Sequence, residues 1–146
     1  MFPKLQGREI KSMKIVVVGL GYVGLSNAVL LAQHNEVICV DISKHRVDAL
    51  NARISPIIDA ELSEYLDKKD LNLTASLDLK HAVLGANYVI IATPTNYDEK
   101  TNFFDTSSVE TVIAQVIKNE PSACIVVKST IPVGFVDSIS MRFGTN

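Results

Sequence analysis

Short runs of β-branched and aliphatic residues recur along the chain, separated by stretches whose apolar positions fall three or four apart. The runs are Ile15–Val18, Glu36–Val40, Asn72–Ala75, Asn87–Ala92 and Cys124–Lys128. Most are continuous rather than alternating in polarity, the pattern of strands covered on both faces of a parallel sheet. Helical spacing fills the gaps. Leu25, Ala28, Val29 and Ala32 share one face of a first helix, and Val47, Leu50 and Ile54 share one of a second. A third starts at about Asp59 with Leu62, Tyr65 and Leu66 apolar. A fourth offers Val109, Val112, Ile113, Val116 and Ile117, and a last one, after Pro132, has Val136, Ile139 and Phe143. Strands alternating with helices predict an α/β fold: a Rossmann-type, doubly wound parallel sheet of five strands in the order 3-2-1-4-5. The longest stretch without periodicity, Thr93–Ser108, reads as a loop, and one this long in a compact domain is commonly functional.

Composition narrows the picture. With 146 residues, 47% of them hydrophobic, the chain can bury one core, and one domain is expected. A net charge of -2 provides no electrostatic footprint for nucleic acid or an anionic membrane surface. No apolar run approaches the roughly 18–20 residues of a membrane helix. Residues 1–12 lack the apolar centre of a signal peptide and read as an extension before a domain at 13–146, so a cytoplasmic protein is expected. Cys39 and Cys124 each lie in a strand-like run without a Cys-x-x-Cys partner, which suits reduced thiols packed as small hydrophobes rather than metal or redox chemistry. His45 and His81 form no metal-spaced cluster, and His34 is placed to complement the dipole at the end of the first helix.

Candidate chemistry starts where the first strand ends. Gly19, Gly21 and Gly24 are spaced G-x-G-x-x-G between a strand and a helix. In a dinucleotide site the first glycine permits the tight turn, the second leaves room for the pyrophosphate, and the third lets helix and strand pack closely. The helix then directs its free N–H groups at the phosphates. Asp41, ending the second strand, follows Gly24 by 17 residues, near the spacing at which a carboxylate reaches the adenosine ribose. A carboxylate there accepts from both ribose hydroxyls and repels a 2′-phosphate, which favours NAD over NADP. Arg46 either flanks that ribose or is a solvated surface charge; composition does not choose. An S-adenosylmethionine loop is the main competitor, although such loops usually carry an acid where this chain has "IVVV" before the glycines. FAD fits so short a chain less well.

Two strand ends share a wording. The fourth strand runs into Thr93-Pro94-Thr95 and the fifth into Ser129-Thr130-Ile131-Pro132. Ligands of open α/β sheets bind beyond the carboxyl ends of the strands where strand order reverses, so both loops are expected beside the nicotinamide half of the cofactor. Proline ends a strand by removing a ladder donor, and a threonine hydroxyl positions a carboxamide, ribose or water without adding charge. The same hydroxyls serve equally well to satisfy backbone groups at strand ends. Lys128 is either an active-site cation or a strand-end residue reaching solvent.

Taken together, "MKIVVVGLGYVGLS", "EVICVDI" with Arg46, "SPIIDAELSEYL", "VIIATPTNYD", "FDTSSVETVI" and "VVKSTIPVGF" resemble the nucleotide-sugar 6-dehydrogenases, the UDP-glucose 6-dehydrogenases most of all. The resemblance runs from Met13 to the C-terminus. It implies oxidation of UDP-glucose to UDP-glucuronate in two steps, each reducing one NAD, through a thiohemiacetal and a thioester on a cysteine. It implies that Gly19, Gly21 and Gly24 cradle the pyrophosphate and Asp41 holds the adenosine ribose with Arg46 nearby. Tyr22 and Val23 would lie along the cofactor, and Thr93, Pro94, Thr95 and Ser129 would border its nicotinamide side. Thr130 would position cofactor and catalytic water. The family's nucleophilic cysteine, its aspartate, the lysine and asparagine of the oxyanion network and a further glutamate all map beyond this chain. So do the substrate domain, the central helix, a sixth strand and the segments through which family members dimerise. A fragment that binds NAD without turning over UDP-glucose is therefore expected. GDP-mannose or N-acetylated UDP-sugars are the alternative substrates, and a stand-alone nucleotide sensor is the alternative class.

Overall fold

The computed structural model describes residues 11–145, so nearly all of the extension expected at 1–12 lies outside the described residues. In chain order the elements are β1 (Lys14–Val18), α1 (Tyr22–Leu31), β2 (Glu36–Val40), α2 (Lys44–Asn51) and α3 (Ala60–Lys68). They continue with β3 (Leu73–Ser76), α4 (Leu79–Ala82), β4 (Tyr88–Ile91), β5 (Asn96–Asp98) and β6 (Phe103–Asp105), then α5 (Ser107–Asn119), β7 (Cys124–Val127) and α6 (Phe135–Phe143). The main sheet has five parallel strands in the order β3-β2-β1-β4-β7, the arrangement predicted from the alternation of strand and helix.

The continuous apolar runs are explained by two covered faces. Along β1, Ile15 and Val17 join a core layer with Leu25, Ala28 and Val29 of α1, Leu50 of α2, and Leu62 and Leu66 of α3. Val16 and Val18 face the other way, against Ala82 of α4, Val109, Val112, Ile113 and Val116 of α5, and Phe135 and Ile139 of α6. A strand with a core on each side has no position for a polar residue, and all four of these β1 side chains are buried.

Several expectations shift in detail. Ile54 lies past the end of α2 and is exposed, because the chain turns at Arg53, whose φ is +61°. Val136 is also exposed; α6 begins after the left-handed Gly134, and that start rotates Phe135 into the core instead. Cys39 is buried as expected, whereas Cys124 is exposed on the edge strand β7. His34 lies three residues past α1 rather than in its last turn. The stretch 93–108 is not all loop. It contains the antiparallel pair β5–β6, held by a Tyr97–Phe104 ring contact 5.1 Å between centroids and by Tyr97 Oη donating to Asn102 Oδ1.

The outer edge of β3 is closed by side chains. Asn51 exchanges two hydrogen bonds with the Ala75 backbone, at 3.0 and 2.8 Å, as a neighbouring strand would. The Arg53 guanidinium donates to the Leu71 and Leu73 carbonyls at 2.8 and 2.9 Å. Such closure removes a template for unwanted strand pairing.

Candidate functional site

The carboxyl ends of β1, β2, β4 and β7 lie side by side, with Val18 paired to both Val40 and Ile91, and Ile91 to Val127. The glycine turn, Asp41, the Thr93–Thr95 segment and the Ser129–Thr130 segment therefore meet at one edge of the sheet. Strand order reverses between β1 and β4, where a crevice must open.

The three glycines have different reasons to be glycine. Gly19 has φ +99° and donates its N–H to the Val40 carbonyl at 2.8 Å; a Cβ there would come within 2.6 Å of the Ala92 carbonyl oxygen. Gly24 sits one turn into α1, where a Cβ would stand 1.8 Å from the Gly19 carbonyl oxygen, so only glycine permits this approach of helix to turn. Gly21 is unlike both: its φ is an ordinary -74°, and a Cβ would meet nothing within 4 Å. Protein packing does not require glycine there. The space beside it is open, as a pyrophosphate cradle demands.

That space lies at an uncapped helix end. Ser43, Asp59 and Asp78 cap α2, α3 and α4 by accepting N–H bonds from Arg46, Leu62 and His81. Gly21 caps α1 with no side chain, and the first turn of α1 carries no acidic residue. Its N–H groups and positive dipole end are left for an anion. Tyr22 and Val23, the next two residues, are exposed, 62% and 45%, and provide an apolar wall.

Asp41 is buried beside the turn, at 8% exposure. One carboxylate oxygen accepts the Leu20 N–H at 2.8 Å and the other accepts the Ser43 N–H at 2.8 Å. Arg46 Nη1 stands 3.6 Å from Asp41 Oδ2, with about half of its side chain in solvent. A carboxylate has about four lone-pair sites, so acceptor capacity remains after these bonds. Asp41 thus aligns the glycine turn while still able to receive hydroxyl donors. The nearby Cys39 thiol is pushed up to about 12, first by burial and then by the Asp41 charge, and is inert as a nucleophile.

Hydroxyls tie the β4 and β7 ends together. Thr95 Oγ1 donates to the Thr130 carbonyl at 2.7 Å, and Ser129 Oγ donates to the Thr93 carbonyl at 2.6 Å. Ser108, from the first turn of α5, donates to the Pro94 carbonyl at 2.9 Å and lies 3.1 Å from Thr93 Oγ1. The Thr130 hydroxyl has no hydrogen-bond partner among the described residues. Lys128 is exposed. All the residues singled out from sequence at this end of the sheet are thus brought together. Ser43, Ser108 and the exposed Ile42 beside Asp41 escaped that reading. Only Ile42 left a trace, as an apolar residue outside every period.

Among the described residues, no three His, Cys, Asp or Glu side chains converge as metal ligands, and no helix is long and apolar enough to cross a membrane. A hollow of about 480 Å³, lined by His34, Asn35, Asp70 and Asn72 among others, opens at the opposite end of the strands, remote from the glycine turn.

Residues 13–145 match the NAD-binding domain of the UDP-glucose/GDP-mannose dehydrogenase family. The chain belongs to that family. It is an NAD-binding Rossmann domain. The UDP-glucose 6-dehydrogenase of Streptococcus pneumoniae is 51% identical over 134 residues, which is 92% of this chain and 34% of that protein. The GDP-mannose 6-dehydrogenase of Pseudomonas aeruginosa is 32% identical, over 87% of this chain and 30% of that protein. Among solved structures, a UDP-glucose dehydrogenase from Pyrobaculum islandicum superposes with a TM-score of 0.82 at 26% identity, covering 95% of this chain and 34% of that one. The chain spans about a third of the length of the curated relatives it matches.

Proposed function

We propose that this domain holds NAD extended across the carboxyl edge of the sheet, for a longer enzyme that oxidises UDP-glucose to UDP-glucuronate. The observation that carries the cofactor's placement is the open space at Gly21 beside the uncapped start of α1. In this reading Gly19, Gly21 and Gly24 form the pyrophosphate cradle, with Tyr22 and Val23 along the dinucleotide. Asp41 takes the adenosine ribose hydroxyls, flanked by Arg46. Thr93, Pro94, Thr95 and Ser129 border the nicotinamide end, and Thr130, with its unpartnered hydroxyl, positions cofactor and water.

When bound, NAD supplies a hydride acceptor. The chain's own part is to orient it. The glycine turn is fixed by its N–H groups on the Val40 carbonyl and the Asp41 carboxylate, and the nicotinamide-side loops are fixed to each other by hydroxyls. Preorganisation of this kind lowers the ordering cost of binding. UDP-glucose as the sugar nucleotide is supported by the identities, 51% to a UDP-glucose 6-dehydrogenase against 32% to a GDP-mannose 6-dehydrogenase. The family resemblance implies a nucleophilic cysteine outside this chain, and neither cysteine here suits that role: Cys39 is buried with a raised pKa and Cys124 stands on the outer strand away from the glycine turn.

Calorimetric titration of the 146-residue chain with NAD and NADP tests the cofactor reading; NAD should bind more tightly, and equal affinities would remove Asp41 from the ribose. Turnover of UDP-glucose by this chain alone would show that the catalytic groups do not lie elsewhere. In the longer protein, UDP-glucose should be oxidised faster than GDP-mannose or an N-acetylated UDP-sugar.

A further inference from the structure

We propose that Ser108, on the first turn of α5, is a positioning residue that fixes the hydrogen-bonding polarity of the Thr93 hydroxyl, so that Thr93, like Thr95, presents its hydroxyl to the cofactor as an acceptor only. The inference deepens the reading of the cofactor site given above and rests on it.

A serine or threonine hydroxyl has one proton and two lone pairs. Ser108 Oγ lies 2.9 Å from the Pro94 carbonyl, which can only accept, so the Ser108 proton goes there. In the 3.1 Å contact between Ser108 Oγ and Thr93 Oγ1 the proton must then belong to Thr93. The two hydroxyls form a directed chain, Thr93 to Ser108 to Pro94. Thr95 has likewise given its proton to the Thr130 carbonyl at 2.7 Å, and Ser129 has given its own to the Thr93 carbonyl at 2.6 Å. The Thr93 and Thr95 hydroxyls therefore have only lone pairs left to offer. The neighbouring residues Val109, Val112 and Ile113 are buried, which anchors the helix turn that presents Ser108.

Hydroxyls of that polarity accept from an amide N–H₂ and repel an oxygen that can only accept. The carboxamide of nicotinamide is such a donor. The carboxylate of nicotinic acid, at the same ring position, is not. Deamido-NAD, in which that single replacement is made, is therefore the diagnostic ligand, and ADP-ribose, which lacks the ring, is the control. Without Ser108 Oγ, the Thr93 hydroxyl is free to rotate and donate.

The experiment compares binding of NAD, deamido-NAD and ADP-ribose to the wild-type chain, Ser108→Ala and Ser108→Thr. Wild type should prefer NAD over deamido-NAD by roughly tenfold, as expected when an acceptor faces the wrong partner. Ser108→Ala should narrow that ratio roughly threefold or more while leaving ADP-ribose affinity unchanged. Ser108→Thr, which keeps the hydroxyl, should retain the wild-type ratio. Equal weakening of all three ligands in Ser108→Ala would make Ser108 merely structural and overturn the proposal, as would an unchanged ratio. If Ser108→Ala does not fold, the wild-type preference and its retention in Ser108→Thr still decide; a wild type indifferent to the two dinucleotides overturns the polarity. Failure of the cofactor reading looks different: wild type then binds neither NAD nor ADP-ribose.

Discussion

Asp41 accepts the Leu20 backbone N–H at 2.8 Å, so the acid that ends β2 holds the turn that follows β1. Its second oxygen holds Ser43 at the start of α2. The residue that reads as a ribose ligand is thus also part of the scaffold. Hydrogen bonds to a charged acceptor contribute about 1.5–3 kcal/mol. Asp41→Ala should lower the unfolding free energy by about 2 kcal/mol in urea titrations without ligand. Asp41→Asn should not be a mild replacement, because its amide group turns N–H donors toward one of two N–H donors. Both variants should narrow the preference for NAD over NADP.

Gly21 and Gly24 separate cradle from scaffold. A Cβ at Gly24 would collide with the Gly19 carbonyl, so Gly24→Ala should destabilise by about 3 kcal/mol or more, seen as a lowered thermal midpoint. A Cβ at Gly21 meets nothing, and Gly21→Ala should change stability by no more than about 1 kcal/mol, the effect of losing a good N-cap residue. Gly21→Ala should nevertheless weaken NAD roughly tenfold or more, since its methyl would occupy the proposed cradle.

The difference between these glycines marks how far the sequence could be read. The doubly wound sheet was legible because β1, β2 and β4 are buried on both faces and leave continuous apolar runs. The glycine spacing and Asp41 located the turn. That Gly21 alone borders open space was not legible, since spacing does not report what a side chain would meet. β5 and β6, three residues each, are too short to show a period. Ile54 kept helical spacing beyond the turn at Arg53, where φ is positive, and Val136 lies inside α6 but on its exposed side, because the helix starts from the left-handed Gly134 with Phe135 turned to the core. The bonds of Ser108 and Ser129 span 14 and 36 residues and follow from tertiary packing alone.

Glu110 gives the fold a dependence on acid. It accepts from Arg142 at 2.6 Å and from Thr106 at 2.8 Å, linking α5 to α6. Those bonds hold its carboxyl below the ordinary 4.5, the Arg142 bond contributing most. A depressed carboxyl adds stability that is complete above the unfolded value and is lost as pH falls through the folded one. The pair is partly exposed, and about 0.5 kcal/mol is expected. Glu110→Gln should lose that amount at pH 7, and the gap from wild type should close below pH 4.5 in denaturant titrations.

The two cysteines should separate cleanly under alkylation. Cys39 is buried and its thiol is pushed up to about 12, whereas Cys124 is exposed. Iodoacetamide at pH 8 should modify Cys124 of the folded chain and spare Cys39, and both should react in denaturant. Mass spectrometry of the digested protein reads the outcome; early labelling of Cys39 would mean that the layer between α1 and the sheet opens readily.

β1 gives Ile15 and Val17 to one core layer and Val16 and Val18 to the other. Its amides exchange with solvent only when both layers come apart, which makes them the slowest clock in the domain. The glycine turn is the direct continuation of that strand. In the proposed placement, the cofactor therefore meets a turn rooted in the strand that both core layers hold.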